Sequence, residues 1–176
     1  HIGFPTEPRL VYGINGTVSY KRIEFNFAFQ GSGQRSLFIN PSAVTPFVND
    51  RALLSAIWED HWTPENMKSR PLWPRLSTNS IAAHNMEEGL LGTETLRAST
   101  YFMREVKFLR CQSLELAYSL PERWVKKIHL QRVKPYVRVN NPFLISDFDL
   151  WDVELGSSGF NYPIQRTYSV GVNISF

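Results

Sequence analysis

From Tyr168 to Phe176 the chain alternates without a break. Tyr168, Val170, Val172, Ile174 and Phe176 fall on one side; Ser169, Gly171, Asn173 and Ser175 fall on the other. A period of two marks a strand, because successive strand side chains point to opposite faces. The apolar side is aromatic at both ends, and the run has the length of a tilted strand that crosses a bilayer, about 9–11 residues. The same alternation also suits a strand of a soluble sandwich. Either way an apolar stripe must be covered, by lipid or by a second sheet.

The rest of the chain repeats the pattern. Tyr12, Ile14, Val18 and Tyr20 alternate with Gly13, Asn15, Thr17 and Ser19, with Gly16 interrupting the apolar side. After a tight connection at Lys21-Arg22, Ile23, Phe25, Phe27 and Phe29 alternate with Glu24, Asn26, Ala28 and Gln30, which predicts a hairpin. A third strand is clear at Leu114, Leu116, Tyr118 and Leu120, and straight alternation upstream puts Arg110 and Gln112 on its apolar side, above any hydrocarbon. A fourth holds Val133, Pro135, Val137 and Val139, with a proline that central strands avoid. Residues 31–99 form a long irregular stretch rich in Pro, Asn, Ser and Trp, opening on Gly31-Ser32-Gly33-Gln34. Inside it a helix is expected, capped by Asn49 or Asp50, carrying Leu53, Leu54, Ile57, Trp58 and Trp62, and bounded by Pro64. Pro121, Glu122 and the later Lys126, Lys127 and His129 predict a second short helix, with proline in its first turn. A second loop covers residues 141–162. Connections thus alternate short, long, short, long, as in outer-membrane barrels, and the C-terminus falls on the side of the short turns.

Composition narrows the alternatives. No window approaches the ~18 apolar residues of a membrane helix, so entry into a bilayer would be by strands. A net charge of +3 with no basic run argues against nucleic acid. Cys111 is the only cysteine, so no internal disulfide is possible. The chain opens on His1-Ile2-Gly3 with no initiator methionine or signal peptide, which is what a piece of a longer precursor would show.

Candidate site residues each carry two readings. Trp58, Trp62 and Trp73 could stack on sugar rings in a vestibule; the competing and favoured reading is a loop mini-core. Asp147, Asp149, Asp152 and Glu154 could gather oxygens for Ca²⁺, but their spacing is not that of an EF-hand and a solvated loop is favoured. His61 and His84 are too isolated for zinc. Glu59, Asp60 and His61 are adjacent, so on a helix they diverge and cannot converge on one substrate atom. No catalytic set, metal site or cofactor motif is predicted. A soluble carbohydrate-binding β-sandwich with tryptophans as its platform is the runner-up; a hydrolase working through Glu59 or Asp152 ranks below it.

A collinear set of short stretches resembles the C-terminal part of SusC/RagA-type TonB-dependent outer-membrane transporters. They are residues 49–58, Tyr101-Phe102-Met103-Arg104, residues 114–121, Asn140-Asn141, Leu150-Trp151-Asp152, Glu154-Leu155-Gly156 and the run from Tyr162-Pro163 to Phe176. Pro142 stands where that family usually has leucine, and Pro135 and Cys111 are unusual for it. The resemblance implies an all-β, antiparallel transmembrane β-barrel segment of about five C-terminal strands, with long extracellular loops at 31–99 and 141–162 and short helices. A whole barrel of this kind has about 22 strands around a plug, and about eight is the least that closes, so these strands alone would not transport. The resemblance further implies import of oligosaccharides or peptides across the cell outer membrane without catalysis. The implied partners are the rest of the barrel and its plug, a SusD-like surface lipoprotein, TonB acting through the N-terminal part, outer-membrane lipid and the barrel-assembly machinery. That machinery would read Tyr168, Val170, Val172, Ile174 and Phe176.

Overall fold

The computed structural model describes residues 2–39, 45–47, 52–66, 71–76, 86–87, 95–96, 100–157, 159 and 161–176. In chain order the elements are β1 (Leu10–Tyr20), β2 (Ile23–Phe38), α1 (Ser55–Glu59), β3 (Met86–Glu87), β4 (Thr95–Leu96), β5 (Met103–Tyr118), α2 (Glu122–Val125), β6 (Arg132–Asn140), β7 (Leu144–Ser146) and β8 (Thr167–Ser175). The main sheet is antiparallel in the order β1-β2-β5-β6-β8, with β7 added beside β5. The short pair β3-β4 stands apart. At the lower end of the sheet lie the Lys21-Arg22 turn, the segment with α2, and the C-terminus. At the upper end lie the long connections.

Register lines the apolar residues into rows across the sheet. One row runs Val18, Phe25, Leu116, Val137, Val170; the next runs Gly16, Phe27, Leu114, Val139, Tyr168. These rows are open on their outer side: Val170 is 81% exposed, Leu116 55% and Phe25 38%. A sandwich needs a second sheet over such rows, and none lies there among the described residues.

Glycines sit where a large aromatic crosses from the paired strand. A Cβ on Gly16 would lie 2.7 Å from the Phe27 ring, and one on Gly171 2.5 Å from the Tyr136 ring. Gly31 leaves room for Tyr12, whose hydroxyl donates to the carbonyl of Phe108 at 2.8 Å. Aromatic cover of strand glycines pins register, and here it does so on both faces.

Two bulges change which side chains face where. Ala28 pairs with Ser113 but Phe29 pairs with Cys111, so Gln112 is an extra residue in β5. Above it the odd-numbered residues of β5 face outward, and Phe108 and Val106 turn inward and are buried. Arg110 therefore faces the inner side opposite Gln30, not the apolar face that straight alternation gives it. The second bulge lies between Ser32 and Arg35, with Gln34 at φ 52, and turns Leu37 inward. The segment opening at Gly31 is thus strand, not loop, and β2 continues to Phe38. Glycines read as a loop signal are here a bulge signal.

Pro135 fits for a specific reason. The carbonyl of Val133 accepts from Leu120, so Pro135, two residues on, turns the same edge toward β5. The β5–β6 ladder ends at the Ala117–Tyr136 pair, so no bond there requires a proline N–H.

The helices are shorter than the sequence suggests. α1 covers five residues and starts after Leu54, with no side-chain cap; Asn49 and Asp50 lie outside the described residues. Pro121 is the N-cap of α2, one position before the first turn, and the segment continues as a 3-10 turn over residues 126–128 that ends on His129 at φ 57.

The packed core lies at the upper end. Leu37, Val106 and Phe108 from the sheet and Phe102 from the turn just before β5 meet Ile39, Ile57, Trp73, Phe148 and Val153 from the two loop regions.

Candidate functional site

The lower sheet has two faces of opposite chemistry, because each strand alternates and the register keeps like with like. Behind the apolar rows lies a polar row, Thr17, Asn26, Glu115, Arg138, Ser169. Thr17 Oγ1 donates to Asn26 Oδ1 at 2.6 Å, and Asn26 Nδ2 donates to Glu24 and Glu115, each at 3.1 Å. Arg138 Nε donates to Glu115 at 2.7 Å, and Lys134 Nζ donates to Glu24 at 2.6 Å. Two carboxylates thus balance two cations across the inner wall. Ion pairs on a wall open to water add little to stability. Their effect is to make the inner surface wettable, as the lumen wall of a barrel is.

The outer face also has a ceiling. From Leu109 to Tyr118 its β5 residues are uncharged; above them Lys107 and Glu105 are exposed. Ten residues at about 3.3 Å each, tilted about 45°, rise about 23 Å, close to the apolar band of a barrel, about 25 Å.

Above this belt the loops fold over the inner face. Arg110 is only 4% exposed and binds Asp152 at 2.5 Å and also Glu154. Asp152 caps the turn over residues 153–155 by accepting from the Glu154 N–H at 3.1 Å. The Asp147 carboxylate accepts from the Lys107 N–H at 3.0 Å. Three of the four acidic residues of the second loop therefore hold that loop to β5, and among the described residues no group of three or more potential ligands is placed for a metal. Nothing in the spacing of these acidic residues pointed to Arg110, because the Gln112 bulge hides its direction. β7 was missed as well, being three residues long.

The tryptophans separate. Trp73 is 1% exposed, packed in the loop core with its ring tilted against Phe102, and its backbone pairs with Asp60 and Trp62. It packs the loop and presents no face to a ligand. Trp58 is 61% exposed and stacks on His61, with ring centroids 5.4 Å apart. Trp62 is also exposed. Asp60 accepts from the Leu72 N–H at 3.0 Å and borders, with Glu59, Arg104, Asp147 and Asp149, a recess of about 400 Å³. His84 lies outside the described residues. Tyr168, Val170, Val172, Ile174 and Phe176 form one exposed stripe on the strand at the sheet's edge.

No protein-family model matches the chain. TonB-dependent receptor P26 of Formosa agariphila is 30% identical over 193 residues, taking in 96% of this chain and 17% of that protein. TonB-dependent receptor SusC of Bacteroides thetaiotaomicron is 24% identical over 170 residues, 95% of this chain and 15% of that protein. The chain spans about a sixth of the length of the curated relatives it matches. Among solved structures, the RagAB peptide transporter and the RagAB peptide importer in its closed-closed state each superpose with a TM-score of 0.68 over 99% of this chain and 18% of theirs, at 18% and 19% identity. That likeness shows the fold, and the exposed apolar rows backed by a polar wall agree with it. Over nearly its whole length, then, this chain matches a stretch of SusC/RagA-type TonB-dependent receptors and folds as the corresponding sheet of the barrel wall.

Proposed function

We propose that the chain forms part of the wall of an outer-membrane TonB-dependent nutrient importer, taking up oligosaccharides or peptides with a SusD-like surface lipoprotein. The observation that carries this is the sheet itself: apolar rows open on one face, a hydrogen-bonded polar row on the other, and named TonB-dependent receptors along almost the whole sequence. The chain acts by partition. Its outer face meets lipid, its inner face lines a wet lumen, and its loops form a fixed rim. The polar groups of the lower inner wall pair with one another, and Asp147, Asp152 and Glu154 of the second loop hold backbone or Arg110, an arrangement that suits a conduit and not a hydrolase.

Orientation follows from the connections: the short turns and the C-terminus face the periplasm, and the loops face outward. Exposed Trp58 and Trp62 are the aromatic faces this rim can offer to a sugar ring or an aromatic peptide side chain. The terminal stripe from Tyr168 to Phe176 is the segment the barrel-assembly machinery would read. The test is disruption of the full-length gene, followed by growth on an oligosaccharide mixture and on a peptide mixture as sole carbon source. Loss of growth on one, with the protein recovered in the outer-membrane fraction only with detergent, is the expected result. Recovery in the soluble periplasm, or unaltered growth on both, overturns it.

A further inference from the structure

Charge is distributed unevenly between the two ends of the sheet. Register gathers the Lys21-Arg22 turn, residues 121–132 and the C-terminus at one end: Arg22 O accepts from Ser119 N, and Gln131 N donates to Ser175 O. This end carries Lys21, Arg22, Arg123, Lys126, Lys127 and Arg132 against Glu122 alone. Its net +5 exceeds the whole chain's +3, so the remainder carries −2. All six cations are exposed. Among them stand two exposed apolar side chains, Trp124 at 53% and Ile128 at 60%, while Val125 between them is buried. The outer apolar rows end at the same place, on Tyr20, Tyr118 and Phe176. An aromatic side chain with cations at the edge of an apolar belt is the arrangement that sits at a headgroup layer.

We propose that this end is a docking surface for the phosphate groups of acidic phospholipids in the leaflet it borders. Arg123, Lys126 and Lys127 hold the phosphates, and Trp124 and Ile128 set the depth. Continuity with the lipid-facing rows favours a membrane over a soluble polyanion, since a cell-wall polymer has no use for Trp124 and Ile128. The proposal rests on the membrane reading above and adds a lipid preference to it.

The experiment uses the full-length protein in nanodiscs of phosphatidylethanolamine, with and without phosphatidylglycerol. Native mass spectrometry counts the retained lipids, and heat-modifiable electrophoretic mobility confirms a folded barrel. Wild type should retain phosphatidylglycerol preferentially, and Arg123→Gln/Lys126→Gln/Lys127→Gln should lose it by about five-fold per cation removed. Lys107→Gln, an exposed cation at the other end, should leave retention unchanged. Equal retention by a folded triple variant overturns the inference and leaves the transporter reading standing. Failure to embed in any bilayer overturns both. Binding of soluble peptidoglycan fragments that disappears in the triple variant, with lipid retention unaltered, also overturns it and assigns the surface to the cell wall.

Discussion

Arg110 joins the wall to its rim. It reaches inward from β5 and holds Asp152 and Glu154, and Val153 between them is fully buried. Breaking a buried ion pair costs about 3–5 kcal/mol, and because Asp152 keeps 18% exposure the lower part of that range or less applies, about 2 kcal/mol. Asp152→Ala should therefore loosen the second loop without unfolding the sheet. Hydrogen exchange should quicken at least ten-fold across residues 147–157 and stay unaltered in β1. Equal exchange in Asp152→Ala and wild type would remove the tether from the account. A second residue-scale test uses Gly171 under Tyr136. Gly171→Ala forces that ring aside, an overpacking cost of about 1–3 kcal/mol. In a Tyr136→Ala background the same change should cost far less, so a thermal double-mutant cycle should show clear coupling. Neither contact could be foreseen by counting alternate positions. Arg110 depends on a bulge, and the glycine contact depends on which strand lies opposite.

At the scale of elements, β8 makes the facing of the sheet measurable. Val170 and Ser169 are neighbours in sequence and on opposite faces. A cation on the lipid face costs about 2–4 kcal/mol near the bilayer centre, and one in a wet lumen costs little. Val170→Arg should lower folding stability of the full-length barrel in vesicles by about that amount, and Ser169→Arg by less than 1 kcal/mol. Equal losses would mean that the two faces meet the same medium. The main strands were legible because their residues alternate cleanly and because Lys21-Arg22 makes so short a turn. The upper half of β2 was not, since Gly31, Gly33 and Gln34 carry a turn vocabulary that a bulge also uses. α1 was foreseen by its spacing of Leu54, Ile57 and Trp58 but overextended, because tertiary contacts to Trp73 and not helix propensity fix that segment.

For the molecule as a whole, the edges matter most. β1 and β8 each have one neighbour in this sheet, and the free edge of each presents backbone donors and acceptors. In lipid those groups must be paired, so closure needs further strands. Residues 1–176 expressed alone should yield no heat-modifiable barrel in detergent micelles and should aggregate on dilution; a compact, monomeric, heat-modifiable species would contradict the open sheet. The polar wall, the apolar belt and the terminal stripe were readable from sequence because period two is local information. Of the loop core, Trp73 was legible as a packing residue; its partners Leu37, Phe108 and Val153 were not, because they come together only after the chain has folded back several times. Gln112, for its part, divides β5 into two reading frames. Were the ladder to run straight through it, the same side chains in the same order would turn the Arg110 guanidinium toward hydrocarbon and swing Leu109 and Lys107 into the lumen. The strand would keep its vocabulary and lose its grammar.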